Sequence, residues 1–274
     1  MTKSKAIEND GSTFTKVLEA AAKLPGVRIN REAYLRSSLR RFCSEEQIEQ
    51  AIATSPAAAG IPQSVVYGIA NTAIKFETSK ATGLSAAAGV PGGVAAIATT
   101  QLDVVQYFGH VLRIAQKLAY LYSWPDLFPD DGSELDEATE GILTLFVGVM
   151  FGVQLAQAGV SKVSTMIASQ VAKKLPQQAL TKGTIYPIVK KVAGLLGVQM
   201  TKKIFANGLA KVVPVVGAAL SGGLTLATFL PMAKRLQKHL AGLSIATAHP
   251  TGTPDDILDA EVVEADDGAG LQDR

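Results

Sequence analysis

The residues best placed to do chemistry lie between Gln101 and Tyr122. Asp103, Tyr107 and His110 are spaced i, i+4, i+7, which brings them onto one side of a helix. An acid, a phenol and an imidazole in line could pass a proton, and the pair Asp103 and His110 could contribute two ligands to a metal with help from elsewhere. The metal reading is weak, because two ligands two turns apart do not make a site and the other histidines, His239 and His249, are far along the chain. No metal or other cofactor is therefore expected. Arg113, Gln116 and Lys117 extend the polar set, giving candidate site residues Asp103, Tyr107, His110, Arg113, Gln116 and Lys117. The plainer alternative is an amphipathic helix with a solvated polar face.

That helix needs a scaffold, and the periodicity supplies one. Val104, Phe108, Val111, Leu112, Ala115, Leu118 and Ala119 share the opposite, apolar face. Comparable helical patterns are predicted at 13–24, 30–42, 44–54, 62–80, 134–158, 160–175, 184–207, 208–221 and 223–242. Ser44 and Gln47 form a capping box at the third of these, and Trp124-Pro125 ends the polar helix. No stretch alternates with period two. The expected fold is all-α, a single multi-helix bundle with closely packed Ala- and Gly-rich core helices over residues 12–245. Residues 1–11 and the acidic tail 246–274 are expected to be disordered.

Charge is distributed unevenly. From Gly141 to Pro254 there is no Asp or Glu, yet there are eleven lysines and one arginine. Eight acids then follow in the tail, and without the tail the body holds 25 bases against 16 acids. A surface of one sign favours a partner of the other. The only cysteine, Cys43, precludes an internal disulfide and fits a reducing compartment; the polar first residues lack the apolar core of a secretory signal. Three windows are free of charge over about a bilayer's thickness: 81–102, 141–161 and 212–233. Of these, 141–161 is the best candidate for a span of ~20 apolar residues, with buried core helices as the alternative.

Three segments together resemble the EcsC family of bacterial proteins. The central one is Ala88-Gly89-Val90-Pro91-Gly92-Gly93, then Asp103, then the run Gln106 to Tyr122. An opening segment, Leu24-Pro25-Gly26-Val27 with Asn30-Arg31-Glu32 and Leu35-Arg36, and a closing one, Lys211 to Ala218 with Gly222-Gly223, agree with it. The resemblance spans about residues 20–240. It departs at Ser123, where the family pattern has glycine after Leu-Tyr. The family's namesake accompanies an ABC-type transporter, and its members are regarded as cytosolic or membrane-associated. The resemblance therefore implies an auxiliary role beside membrane transport or envelope processes and carries no catalytic residues.

Lysine pairs at Lys173-Lys174, Lys190-Lys191 and Lys202-Lys203 are the candidate anion-binding residues. Nucleic-acid readers use arginine and stacking aromatics, whereas these lysines are interleaved with Ala, Gly, Val and Leu. That mixture suits an anionic bilayer surface. The expected partner is anionic membrane lipid at the cytoplasmic face, with a membrane protein as a further possibility and nucleic acid disfavoured. The expected role is non-enzymatic. A hydrolase or lipid-handling enzyme using the 101–122 stripe, and a helical module for an apolar ligand, are the alternatives.

Overall fold

The computed structural model describes residues 2–88, 95–128, 135–169, 175–210 and 214–247; within residues 2–10, 82–88, 95–103, 200–210 and 214–226 it describes the backbone only. The described residues form eleven helices and no strand: α1 (Thr2–Ala22), α2 (Arg31–Leu39), α3 (Glu45–Ala53), α4 (Gln63–Ala88), α5 (Ala95–Leu121), α6 (Glu137–Met150), α7 (Gln154–Ala168), α8 (Gln177–Thr181), α9 (Tyr186–Ala210), α10 (Pro214–Ala241) and α11 (Ser244–Thr247).

Local signals set most of the boundaries. Asn30 caps α2 by accepting from the Ala33 amide at 2.8 Å. Ser44 and Gln47 form the expected reciprocal box at the start of α3. Asp136 caps α6 by accepting from the amides of Ala138 and Thr139. The sequence misses at a few places. α1 takes in Thr2–Gly11, where no element was expected, and α10 runs unbroken through Gly222-Gly223, where two helices were expected. Packing of a long helix against several neighbours overrides the ~1 kcal/mol preference of each glycine for other states.

Helix α6 explains the greasiest window. It touches α1, α5, α7, α8, α9 and α10, so it lies at the centre of the bundle. Every residue from Gly141 to Met150 is buried, and a helix surrounded by protein must be apolar all round. The window does not continue to Ser161 as one helix. Gly152, at φ +82°, ends α6 in a reversed turn in which the Val153 amide reaches Gly148 O at 2.9 Å. Among the described residues no helix is long and apolar enough to cross a membrane, so the spanning alternative for 141–161 is set aside.

Small residues let the central helices approach. A Cβ on Gly148 would come within 2.6 Å of both Ala156 Cβ on α7 and Val192 Cγ1 on α9. Aromatic edges fasten the rest: Phe14 of α1 meets Phe108 of α5, which stacks on Phe151 beyond α6, while Tyr107 meets Phe229 of α10.

Candidate functional site

Helix α5 sits between α1, α2, α4, α6, α9 and α10. Its predicted apolar face is fully used: Phe108, Val111, Leu112, Ala115, Leu118 and Ala119 belong to the core. The opposite face is not solvated. From Tyr107 to Tyr120 it is half-buried or buried, and several of its polar side chains bond to neighbouring elements.

The main partner is Glu77 of α4, whose side chain is 0% exposed. Lys117 Nζ donates to Glu77 Oε1 at 2.6 Å, and Arg113 Nε lies 3.2 and 3.3 Å from the two carboxylate oxygens. His110 Nδ1 lies 3.1 Å from Oε2. One carboxylate thus receives three side chains that all come from successive turns of α5. Burial by itself would raise the Glu77 pKa; hydrogen bonds from His110 and Lys117 and the charges of Lys117 and Arg113 outweigh it and hold the carboxyl down at about 2. The cluster is flanked by rings, with Lys117 Nζ 5.7 Å from the Tyr34 ring and 5.4 Å from the Phe76 ring.

Of the proton line predicted through Asp103, Tyr107 and His110, the last two take partners on different helices. Tyr107 points to α10, where its hydroxyl meets Met232 Sδ at 3.5 Å, while His110 turns to α4. The side chain of Asp103 lies outside the described residues, as do Lys173, Lys174 and the side chains of Lys202 and Lys203. Among the described residues no group of three His, Cys, Asp or Glu side chains is placed to hold a metal ion.

Gln116 is wholly buried and serves the chain that precedes α2. Its Oε1 accepts from the Ile29 amide at 2.8 Å, and its Nε2 donates to Val27 O at 3.0 Å and Leu112 O at 2.9 Å. The Leu24–Val27 turn presses so closely on α5 that a Cβ on Gly109 would lie 3.2 Å from Val27 and 3.3 Å from Leu24. Arg31, buried at the start of α2, donates to Ala51 O, Ile52 O and Thr54 O at the end of α3 and to Trp124 O beyond α5. One guanidinium therefore closes two helix ends that would otherwise bury bare carbonyls.

Comparison of the chain with protein-family models, with curated proteins and with solved structures found no match.

The second candidate surface is on α9. Tyr186, Lys190, Lys191 and Leu195 are all exposed; at 100° per residue they fan across about half of the helix circumference, with Tyr186 and Leu195 at its two edges and the lysines between them. Tyr186 is 36% and Leu195 45% exposed, both high for large apolar side chains. Lys190 Nζ sits 5.0 Å from the Tyr186 ring. Lys162, Lys182 and Lys238 are exposed too. Two other cations of α10 bond within the chain: Lys234 donates to Asn71 and Gln237, and Arg235, itself exposed, donates to Met150 O at the end of α6.

Sequence reasoning missed Glu77 and Arg31. Glu77 left one usable signal. Cations at 110, 113 and 117 recur on a face of a helix that is otherwise apolar, and such a face needs an acid from a facing helix.

Proposed function

We propose that the protein is an EcsC-type, non-enzymatic helical protein that docks on an anionic membrane surface from the cytoplasmic side and assists transport or envelope processes there. The observation that carries this reading is the α9 face, where Tyr186 and Leu195 stand exposed beside Lys190 and Lys191. Lysines between an aromatic ring and a leucine match the interfacial zone of a bilayer, where apolar groups enter the acyl boundary and each lysine adds about 1 kcal/mol against anionic lipid. No acid accompanies these lysines along the chain from Gly141 to Pro254, which favours that attraction.

Two features support the EcsC resemblance. Its opening and central segments meet in space, since Val27 and Ile29 bond to Gln116 and Leu24 packs on Gly109. Ser123, standing where the family pattern has glycine, has φ +70°, the left-handed conformation that glycine adopts without strain.

The hydrolase alternative is disfavoured by the partners of Glu77. A carboxylate helps a catalytic histidine by stabilising its cationic form; Glu77 is already held by the permanent cations Arg113 and Lys117.

Vesicle co-sedimentation tests the proposal. The protein should pellet with vesicles containing phosphatidylglycerol, remain in solution with pure phosphatidylcholine, and be released as salt rises. Replacing Lys190 and Lys191 by Gln should cut the bound fraction severalfold. Equal pelleting with both vesicle types, or no effect of the double replacement, would overturn the reading.

A further inference from the structure

The Glu77 cluster carries more positive charge than it cancels. Glu77 supplies one negative charge, Arg113 and Lys117 supply two positive ones, and His110 adds another when protonated. The three cationic side chains are only 10–21% exposed, and among the described residues Glu77 is the one carboxylate that pairs with them. Holding surplus charge where water is scarce is costly unless an anion joins it.

The geometry leaves a place for that anion. Arg113 meets Glu77 through Nε alone, shared between both carboxylate oxygens. The two terminal nitrogens, the fork that grips phosphate and carboxylate in parallel hydrogen bonds, have no hydrogen-bond acceptor among the described residues. They reach toward the exposed Gly26 turn: a Cβ built there would stand 3.7 Å from Arg113 Nη1. Gly26 has φ +72° and no side chain, so the turn bends back beside the guanidinium without covering it. His110, on the preceding turn of α5, spends only Nδ1 on Glu77, and no described group bonds its other nitrogen.

We propose that the outer side of this cluster, formed by Arg113 and His110 beside the Gly26 turn, binds a phosphate monoester group. A dianion matches the surplus when His110 is charged, and Arg113 offers the planar fork that a phosphate accepts. The group can belong to a soluble phosphate or to the headgroup of phosphatidic acid. This site is separate from the α9 face and does not depend on membrane docking.

Inorganic phosphate titrated into the full-length protein in chloride buffer tests the site. Saturable binding by calorimetry is expected, with the His110 ring resonances shifting at the same concentrations. Arg113→Lys, which keeps the charge and loses the fork, should weaken binding at least tenfold, whereas Lys190→Gln with Lys191→Gln should leave it unchanged. A lipid source shows itself as preference for phosphatidic acid over phosphatidylglycerol vesicles that Arg113→Lys abolishes. The proposal fails if Arg113→Lys binds phosphate as the wild type does. It fails equally if neither phosphate nor phosphatidic acid gives a saturable, Arg113-dependent response. A shift of His110 in the wild type decides the matter should the variant not fold.

Discussion

The two halves of the molecule use charge in opposite ways. In the first half, through α5, charges pair within the chain: Glu77 ties α4 to α5 in a buried cluster, Arg36 pairs at the surface with Glu32, Glu45 and Glu49, and Arg31 closes α3. Among the described residues every ion pair lies between residues 32 and 117. In the second half, past the first turn of α6, no acid occurs from Gly141 to Pro254, and among the described residues none of its exposed lysines forms an ion pair. It is held instead by close helix contact at Gly148 and by the central burial of α6. The ion pairs among the described residues therefore belong to the first half, whereas in the second half Lys234 and Arg235 bond to neutral groups and Lys190 and Lys191 stand exposed.

The largest effect that would separate the halves is Glu77→Gln. It strands the cations Arg113 and Lys117 in a buried site and should cost about 3–5 kcal/mol in chemical denaturation. A loss below ~1 kcal/mol would show that the first half is not held by charge. Acid should act on the same group. The folded-state pKa of Glu77 is depressed to about 2 from 4.5, so its contribution is present at neutral pH and drains away as pH falls from about 4.5 toward 2. The full contribution is on the order of 3 kcal/mol. Hydrogen exchange at pH 3 should consequently open α4 and α5 before α7 and the start of α9; the reverse order would break the comparison.

Gly148→Ala probes the second half. Its Cβ would clash with Ala156 and Val192, and a destabilisation of roughly 1–3 kcal/mol is expected from thermal melting. A smaller effect belongs to the end of α5. The Trp124 amide reaches Ala119 O at 3.0 Å and Ser123 Oγ accepts from the Ala57 amide at 3.1 Å, so Ser123 both turns the chain and serves a loop. Ser123→Ala and Ser123→Gly lose the same hydrogen bond, but only glycine relaxes the left-handed backbone. The Gly variant should be about 1 kcal/mol the more stable of the two. Last, Lys190→Gln with Lys191→Gln should leave the melting temperature within the equivalent of ~0.5 kcal/mol of the wild type while lowering vesicle binding. A large stability loss there would place those lysines among the structural charges of the first half.

Much of the scaffold could be read directly. The capping box at Ser44, the apolar face of α5 and the stop at Trp124-Pro125 are local patterns, and local patterns survive folding when nothing opposes them. The polar stripe of α5 was legible as a set of residues and misread as a face. Its spacing is compatible with solvent, with a proton line or with a buried cluster, and only the position of α4 selects the last.

By itself, then, the sequence determined the helical class, the boundaries of the short capped helices α2 and α3, and the acid-free run, because propensity, capping and composition act over a few residues or over the whole chain. The tertiary structure decided what each polar group does. It brought Glu77 to His110, Arg113 and Lys117 across 33 to 40 positions of chain, wrapped α6 in protein, and left Tyr186, Lys190, Lys191 and Leu195 facing outward. Pairing and exposure depend on which helices meet, and helix packing is set by contacts between residues distant in the chain, where no local pattern records the partner.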